Sequence, residues 1–128
     1  MIAVDTSALM AIALNEPGFE AHMAALEADP EVVISAGTLT ELLIVSLRQE
    51  SVRLAVADLI DRLGFNVVPV TQASAERIGR AYERWGRGFH PAGLNFGDCF
   101  AYEVASEHGC ALLYAGDDFS KSDILSVL

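Results

Sequence analysis

Four acidic segments hold the residues best equipped for chemistry: Asp5 in IAVDTSAL, Glu41 in TLTELL, Asp98 in LNFGDCF and the Asp117-Asp118 pair in LLYAGDDF. Carboxylates gathered without a fixed counter-cation repel one another and raise each other's pKa values. A divalent cation removes that penalty. An oxygen-only donor set suits a hard ion, Mg2+ or Mn2+, rather than Zn2+. Such an ion keeps several waters, one of which becomes a nucleophile at neutral pH. The chemistry this fits is phosphodiester hydrolysis, in which water attacks phosphorus and the metal offsets the developing negative charge.

Each acid also has a local explanation. Asp5-Thr6-Ser7 has the form of a helix N-cap. Thr38-Leu39-Thr40-Glu41 matches a capping box, in which Glu41 reaches back to a backbone N–H. Asp98 lies at a helix start, where negative charge complements the macrodipole, and Gly116-Asp117-Asp118 is ordinary turn chemistry. What capping does not require is that all four segments reach one place, and that depends on the elements that carry them.

Ile2–Val4 reads as a short strand ending at Asp5, followed by helices over 6–14 and 19–27, separated by Glu16-Pro17-Gly18. Val32–Ile34 is a β-branched second strand. Helices follow over 36–49 and 52–63, the latter ended by Gly64. Asn66–Val70 is a third strand whose Pro69 marks an edge or an end. Ala73–Trp85 is an amphipathic helix with Ile78, Ala81, Tyr82 and Trp85 inward. The glycine-rich stretch 86–97 is a loop, 98–108 a helix, Ala111–Tyr114 a fourth strand and Ile124–Val127 a short fifth. Strands alternating with helices imply a three-layer α/β/α domain with a central, mostly parallel sheet of four to five strands. In such sheets the ligand site lies beyond the carboxyl ends of the strands, at a topological switch point. All four acidic segments can reach that rim.

Half of the eight basic residues fall at Arg77, Arg80, Arg84 and Arg87, one face of the 73–85 helix. Two readings compete: a solvated face paired with Glu76 and Glu83, or an edge that tracks phosphates. Arg80, Arg84, Arg87 and His90 are the substrate-binding candidates, and His90 is also a candidate general acid, since imidazole is the side chain most often used for proton transfer at neutral pH. Lys121, after the acidic turn, is placed to neutralise a phosphate. Phe96, Phe100 and Tyr102 are expected to pack in the core. The Leu42-Leu43-Ile44-Val45 run is apolar on too many sides for a free surface helix, which points to a dimer or partner interface.

The chain has 128 residues, enough for one continuous core, and a net charge of −10 that argues against broad, non-specific nucleic-acid binding. A mean hydropathy of +0.36 excludes disorder. No apolar run approaches the roughly 20 residues of a membrane span, and the start has no basic leader, so a cytoplasmic protein is expected. Cys99 and Cys110 have neither CxxC nor zinc spacing and read as reduced core thiols.

With VDTSAL, TLTELLIV, AGLNFGDCFAYEVA and LLYAGDDFSKSDI in this order and at this spacing, the chain resembles the PIN-domain ribonucleases, and most closely the VapC toxins of bacterial toxin–antitoxin pairs. The resemblance runs from the first residues to the last, so it implies a single PIN domain over 1–128. It also implies a Mg2+-dependent endoribonuclease, with Mn2+ as a substitute, that cuts structured RNA such as tRNA or rRNA. Such toxins are silenced by a cognate VapB-type antitoxin and form homodimers. Carried over by motif, Asp5 and Asp98 become the metal ligands, Glu41 completes the acidic pocket, and Thr6 or Ser7 places a hydroxyl near metal or phosphate. Asp118, immediately before Phe119, matches better than Asp117 as the fourth acid. Ser122 stands where many relatives have threonine and keeps the hydroxyl.

Two rivals are weaker. An aspartate-nucleophile phosphatase needs a second Asp two residues after the first, where this chain has Ser7, and a phospho-receiver needs a Lys that LLYAG does not supply. A PIN-like module acting only as a binding or RNA-processing partner is expected to have lost acids that this chain keeps.

Overall fold

A computed structural model describes all of residues 1–128. It contains β1 (Ile2–Val4), α1 (Thr6–Ala13), α2 (Phe19–Ala28), β2 (Val32–Ser35), α3 (Ala36–Val45), α4 (Glu50–Leu63), β3 (Asn66–Val68), α5 (Gln72–Trp85), α6 (Phe96–His108) and β4 (Leu112–Leu113), with a short 3-10 turn at Ser46–Arg48 between α3 and α4. All strand pairs are parallel, in the order β3-β2-β1-β4. The strand order reverses between β1 and β4. No helix is long and apolar enough to cross a membrane.

Alternation of side chains along the strands builds the three layers. Ala3, Val33 and Leu112 face one way and pack with Ile78, Ala81, Cys99, Tyr102 and Val104 of α5 and α6. Ile2, Val4, Val32, Ile34 and Leu113 face the other way, against Leu9, Leu26, Leu42, Val52 and Val56 of α1 to α4. With both faces covered, the central strands are apolar along their length, which is why β1 and Val32–Ile34 of β2 read as unbroken apolar runs, whereas the edge strand β3 begins with the exposed Asn66.

Several boundaries differ from the sequence expectations. The helix expected over 36–49 ends at Val45. There the Ser46 hydroxyl donates to the Leu43 carbonyl at 2.9 Å, and the chain tightens into the 3-10 turn. The fifth strand is reduced to one parallel bridge, Leu112↔Ser126. Val127 N–H donates to Leu112 and Leu112 N–H to Leu125, so the segment follows β4 without joining the ladder. α6 starts at Phe96, one half-turn earlier than expected, because Asn95 rather than a later residue caps it. Cys99 is buried and Cys110 half-buried, both free.

Candidate metal-binding active site

β1 ends at Val4, and the Asp5 amide donates to the Leu113 carbonyl of β4 at 3.0 Å. Asp5 therefore sits on the seam where the strand order reverses. Its Oδ2 caps α1, accepting the Ser7 amide at 3.0 Å and the Ser7 hydroxyl at 2.6 Å. The Ser7 hydroxyl in turn accepts the Ala115 amide at 3.0 Å, fastening the segment after β4 to the start of α1. Asp5 Oδ1, by contrast, is buried and has no partner at all. An orphaned carboxylate oxygen in a buried position is costly unless something else supplies a positive charge.

Asp98 repeats the arrangement on α6. Asn95 and Asp98 form a reciprocal capping box: the Asp98 amide donates to Asn95 Oδ1 at 2.8 Å, and the Asn95 amide donates to Asp98 Oδ2 at 3.0 Å. Burial, against the lowering effect of that cap, pushes the Asp98 carboxyl up to about 7, with the charges of Asp5, Asp118 and Glu41 adding to the rise. Burial also raises Asp5, and Glu41 contributes there too. The capping expectation thus holds for Asp5 and Asp98, and it engages only one carboxylate oxygen of each.

Glu41 is not in a capping box: Ser35 caps α3 through Gly37, and Glu41 lies in the body of the helix, half-buried. Its carboxylate occupies the space that a Cβ on Gly97 would fill. Gly97 is therefore part of the site, although the sequence reading passed over it. The sequence carries no separate signal for it, because 86–97 reads as a loop, where a glycine needs no packing reason. Asp118 and Asp117 are both exposed on the turn after β4, and only Asp118 is among the charges that act on Asp98. Thr6 donates to the Thr38 carbonyl at 3.3 Å, joining α1 to α3. Thr38 Oγ1, fully buried, is the other side-chain atom left without a partner.

These observations fit a hard divalent cation. The acids converge without a fixed counter-charge, and one donor oxygen is unused in the dry interior. No three His, Cys, Asp or Glu side chains lie close enough together to hold an ion between them, so any ion here would rest on one or two carboxylates and water, as Mg2+ commonly does.

The other candidates separate. Arg77 Nε pairs with the buried Glu103 at 2.9 Å and with Glu107 at 3.3 Å. Arg84 pairs with Asp123 at 3.6 Å and lies over the Trp85 ring. The partners of this stripe are therefore on α6 and near the C-terminus, not Glu76 and Glu83, because α5 lays its basic face along α6. Arg80 is exposed beside that pair of helices, and Arg87 is exposed on the following loop. His90 Nδ1 accepts the Ala92 amide at 3.0 Å, and its ring meets Trp85 edge-on at 4.7 Å. That holds the 86–95 loop in shape and leaves His90 without contact to the acids. Lys121 is exposed beyond Asp118. Tyr102 is buried as expected, but Phe96 is 75% exposed, contrary to the core role expected of it.

The PIN domain family profile matches residues 2–125. Ribonuclease VapC30 of Mycobacterium tuberculosis is 38% identical over 128 residues, 98% of each chain. Ribonuclease VapC42 of the same organism is 40% identical over 126 residues, covering 94% of this chain and 95% of that one. Among solved structures, VapC20 of M. tuberculosis, described as a sarcin–ricin loop cleaving toxin, superposes with a TM-score of 0.78 at 23% identity over 99% of this chain and 98% of the other. A DNA-bound VapBC from Salmonella typhimurium gives 0.72 at 16% identity over 98% and 94%.

Proposed function

Because this chain belongs to the PIN domain family, among the VapC ribonucleases, we propose that its converging acids hydrolyse structured RNA, tRNA or rRNA, with Mg2+ as the resident ion and Mn2+ as a substitute. The protein is an endoribonuclease toxin of a toxin–antitoxin pair, and a cognate VapB-type antitoxin is its partner. We assign Asp5 and Asp98 as metal ligands, with Glu41 and Asp118 completing the acidic centre, in a homodimer that works in the cytoplasm.

The observation that carries this reading is the unpartnered Asp5 Oδ1, buried beside the charges that push Asp98 up. When bound, Mg2+ activates water and offsets charge developing on the phosphate. The chain's own residues do the positioning. Ser7 orients Asp5 through two hydrogen bonds to Oδ2, which leaves Oδ1 free to hold an ion when one is bound. Asn95 does the same for Asp98. Asp98 must surrender the proton it holds near neutral pH before it can act as a ligand, so metal affinity rises with pH through that range.

Thermal melting with added Mg2+ or Mn2+ tests the site without relying on turnover. An ion at 100 times its Kd stabilises the folded chain by about 2.7 kcal/mol. The parent is expected to melt higher, and Asp5→Asn to lose most of that gain. An unmoved parental Tm at saturating ion removes the metal assignment. Mapping of RNA ends after induction identifies the cleaved species, and Asp98→Asn is expected to leave those ends absent.

A further inference from the structure

We propose that the aromatic patch around Arg87 is a nucleotide subsite beside the acidic centre, in which Phe96 stacks a base and Arg87 pairs with a backbone phosphate. The inference rests on the ribonuclease reading above and adds a place for the strand next to the cut.

Phe96 is the first residue of α6 and stands two positions before Asp98. Its neighbour Phe100 meets it edge-on, with centroids 5.0 Å apart and planes at 76°. That contact braces the ring while most of it remains in solvent. Phe96, Asn95, Tyr82 and Arg87 line a cavity of about 450 Å3. The amide of Asn95, in the wall of that cavity, is the one bonded to Asp98. Phe89, 63% exposed, extends the patch through an edge contact with Tyr82 at 5.9 Å.

Arg87 differs from the rest of the basic stripe. Arg77 and Arg84 are committed to carboxylates, and no acid lies within ion-pair distance of Arg87. Its backbone is fixed: its amide donates to Leu94 at 3.0 Å, and its carbonyl accepts the Tyr82 hydroxyl at 3.2 Å. Gly86 permits this close approach, since a Cβ there would collide with Tyr82. An unneutralised guanidinium set among exposed rings matches the chemistry of single-stranded nucleic acid, whose bases stack while its phosphates seek cations. In a chain of net charge −10, a polyanion approaching the acids gains attraction from such a local cation.

The test uses the full-length chain carrying Asp98→Asn, so that RNA stays intact, and a short fluorescein-labelled single-stranded RNA of mixed sequence read by fluorescence anisotropy. Phe96→Leu keeps apolar bulk and removes the π-face; it should weaken binding about tenfold, and Phe96→Tyr should restore it to within about twofold. Arg87→Ala should weaken binding and lower the slope of log K against log salt by about 0.7, a change Phe96→Leu does not make. Melting temperatures should stay level, since both side chains are exposed. Equal affinity in all the proteins, or none in any, overturns the subsite. Unchanged RNA affinity with loss of neutralisation by the antitoxin assigns the patch to protein docking and also overturns it. Continued cleavage by Asp98→Asn alone sinks the ribonuclease site itself, whereas an inert Phe96→Leu with a dead Asp98→Asn sinks only the subsite.

Discussion

Asp98 Oδ2 accepts the Asn95 amide while burial and three neighbouring acids push the carboxyl up to about 7. In the unfolded chain the same group titrates near its ordinary value of 3.8. Between those pH values the folded state binds the extra proton, so the metal-free protein loses stability as pH rises from about 4 through about 7. Asp5, raised by burial, acts in the same direction. Denaturant titrations across that window should show the decline, and saturating Mg2+ should flatten it. Asp98→Asn can still accept the Asn95 amide through its Oδ1. It should therefore abolish cleavage while raising Tm at pH 8 by about 3–6 °C in the absence of metal, an advantage that vanishes at pH 4. Gly97 supplies a second residue-scale test. Gly→Ala in a helix is ordinarily stabilising by about 0.5–1 kcal/mol, but here the new Cβ displaces the Glu41 carboxylate. Gly97→Ala should leave Tm within a few degrees of the parent and lower single-turnover cleavage by about tenfold to a hundredfold.

The helix pair α5–α6 shows where a basic stripe stops being a nucleic-acid surface. Arg77 bonds Glu103, which is only 6% exposed. Arg77→Ala strands that carboxylate and should cost about 2–4 kcal/mol in urea unfolding, with RNA affinity unchanged; a loss of affinity at equal stability would return Arg77 to the substrate side. The sequence displayed the spacing of the arginines but not their partners, because Glu103 and Glu107 lie on a different helix. The strands and most helices were legible for a physical reason: a parallel sheet covered on both faces imposes continuous apolar runs on β1 and β2, and Pro69 stops β3. Ile124–Val127 carried the same strand composition yet makes one bridge, since ladder formation depends on tertiary placement and not on β-propensity. Phe96 was misread similarly. Its apolar side chain argued for the core, and only the Asn95 cap, by starting α6 early, turns it outward. Asp5, Glu41, Asp98 and the Asp117-Asp118 pair stood out in the sequence as acids following apolar runs, the family resemblance alone favouring Asp118 over Asp117, whereas Gly97 acquires its meaning from a helix that passes across it.

Across the whole molecule, α3, the 3-10 turn and α4 leave Leu43, Ile44, Leu47 and Leu54 exposed, with Ile44 at 60% and Leu47 at 66%. An apolar row of this kind on an otherwise acidic protein fits an interface. On the proposed homodimer, Ile44→Asp together with Leu47→Asp should shift sedimentation of the free protein toward monomer without lowering its Tm; a sedimentation coefficient unchanged from the parent rules this row out as the self-contact. The net charge of −10 keeps the remaining surface from holding RNA indiscriminately. The doubled duty proposed for Asp5 and Asp98, each serving a helix start with one oxygen and leaving the other for the proposed ion, has a genetic consequence. Cells forced to express this gene without its antidote select for loss of function, and the single base changes open to an Asp codon include those to Asn, Ala and Val. Asn silences the chemistry and keeps the cap, so the survivor accumulates a folded decoy that still occupies the antidote. At Asp5, Ala or Val removes the cap of α1 as well, so the survivor's product should fold less stably. Escape clones altered at Asp5 should therefore differ by codon, with Asn variants accumulating to higher levels than Ala or Val variants on immunoblots.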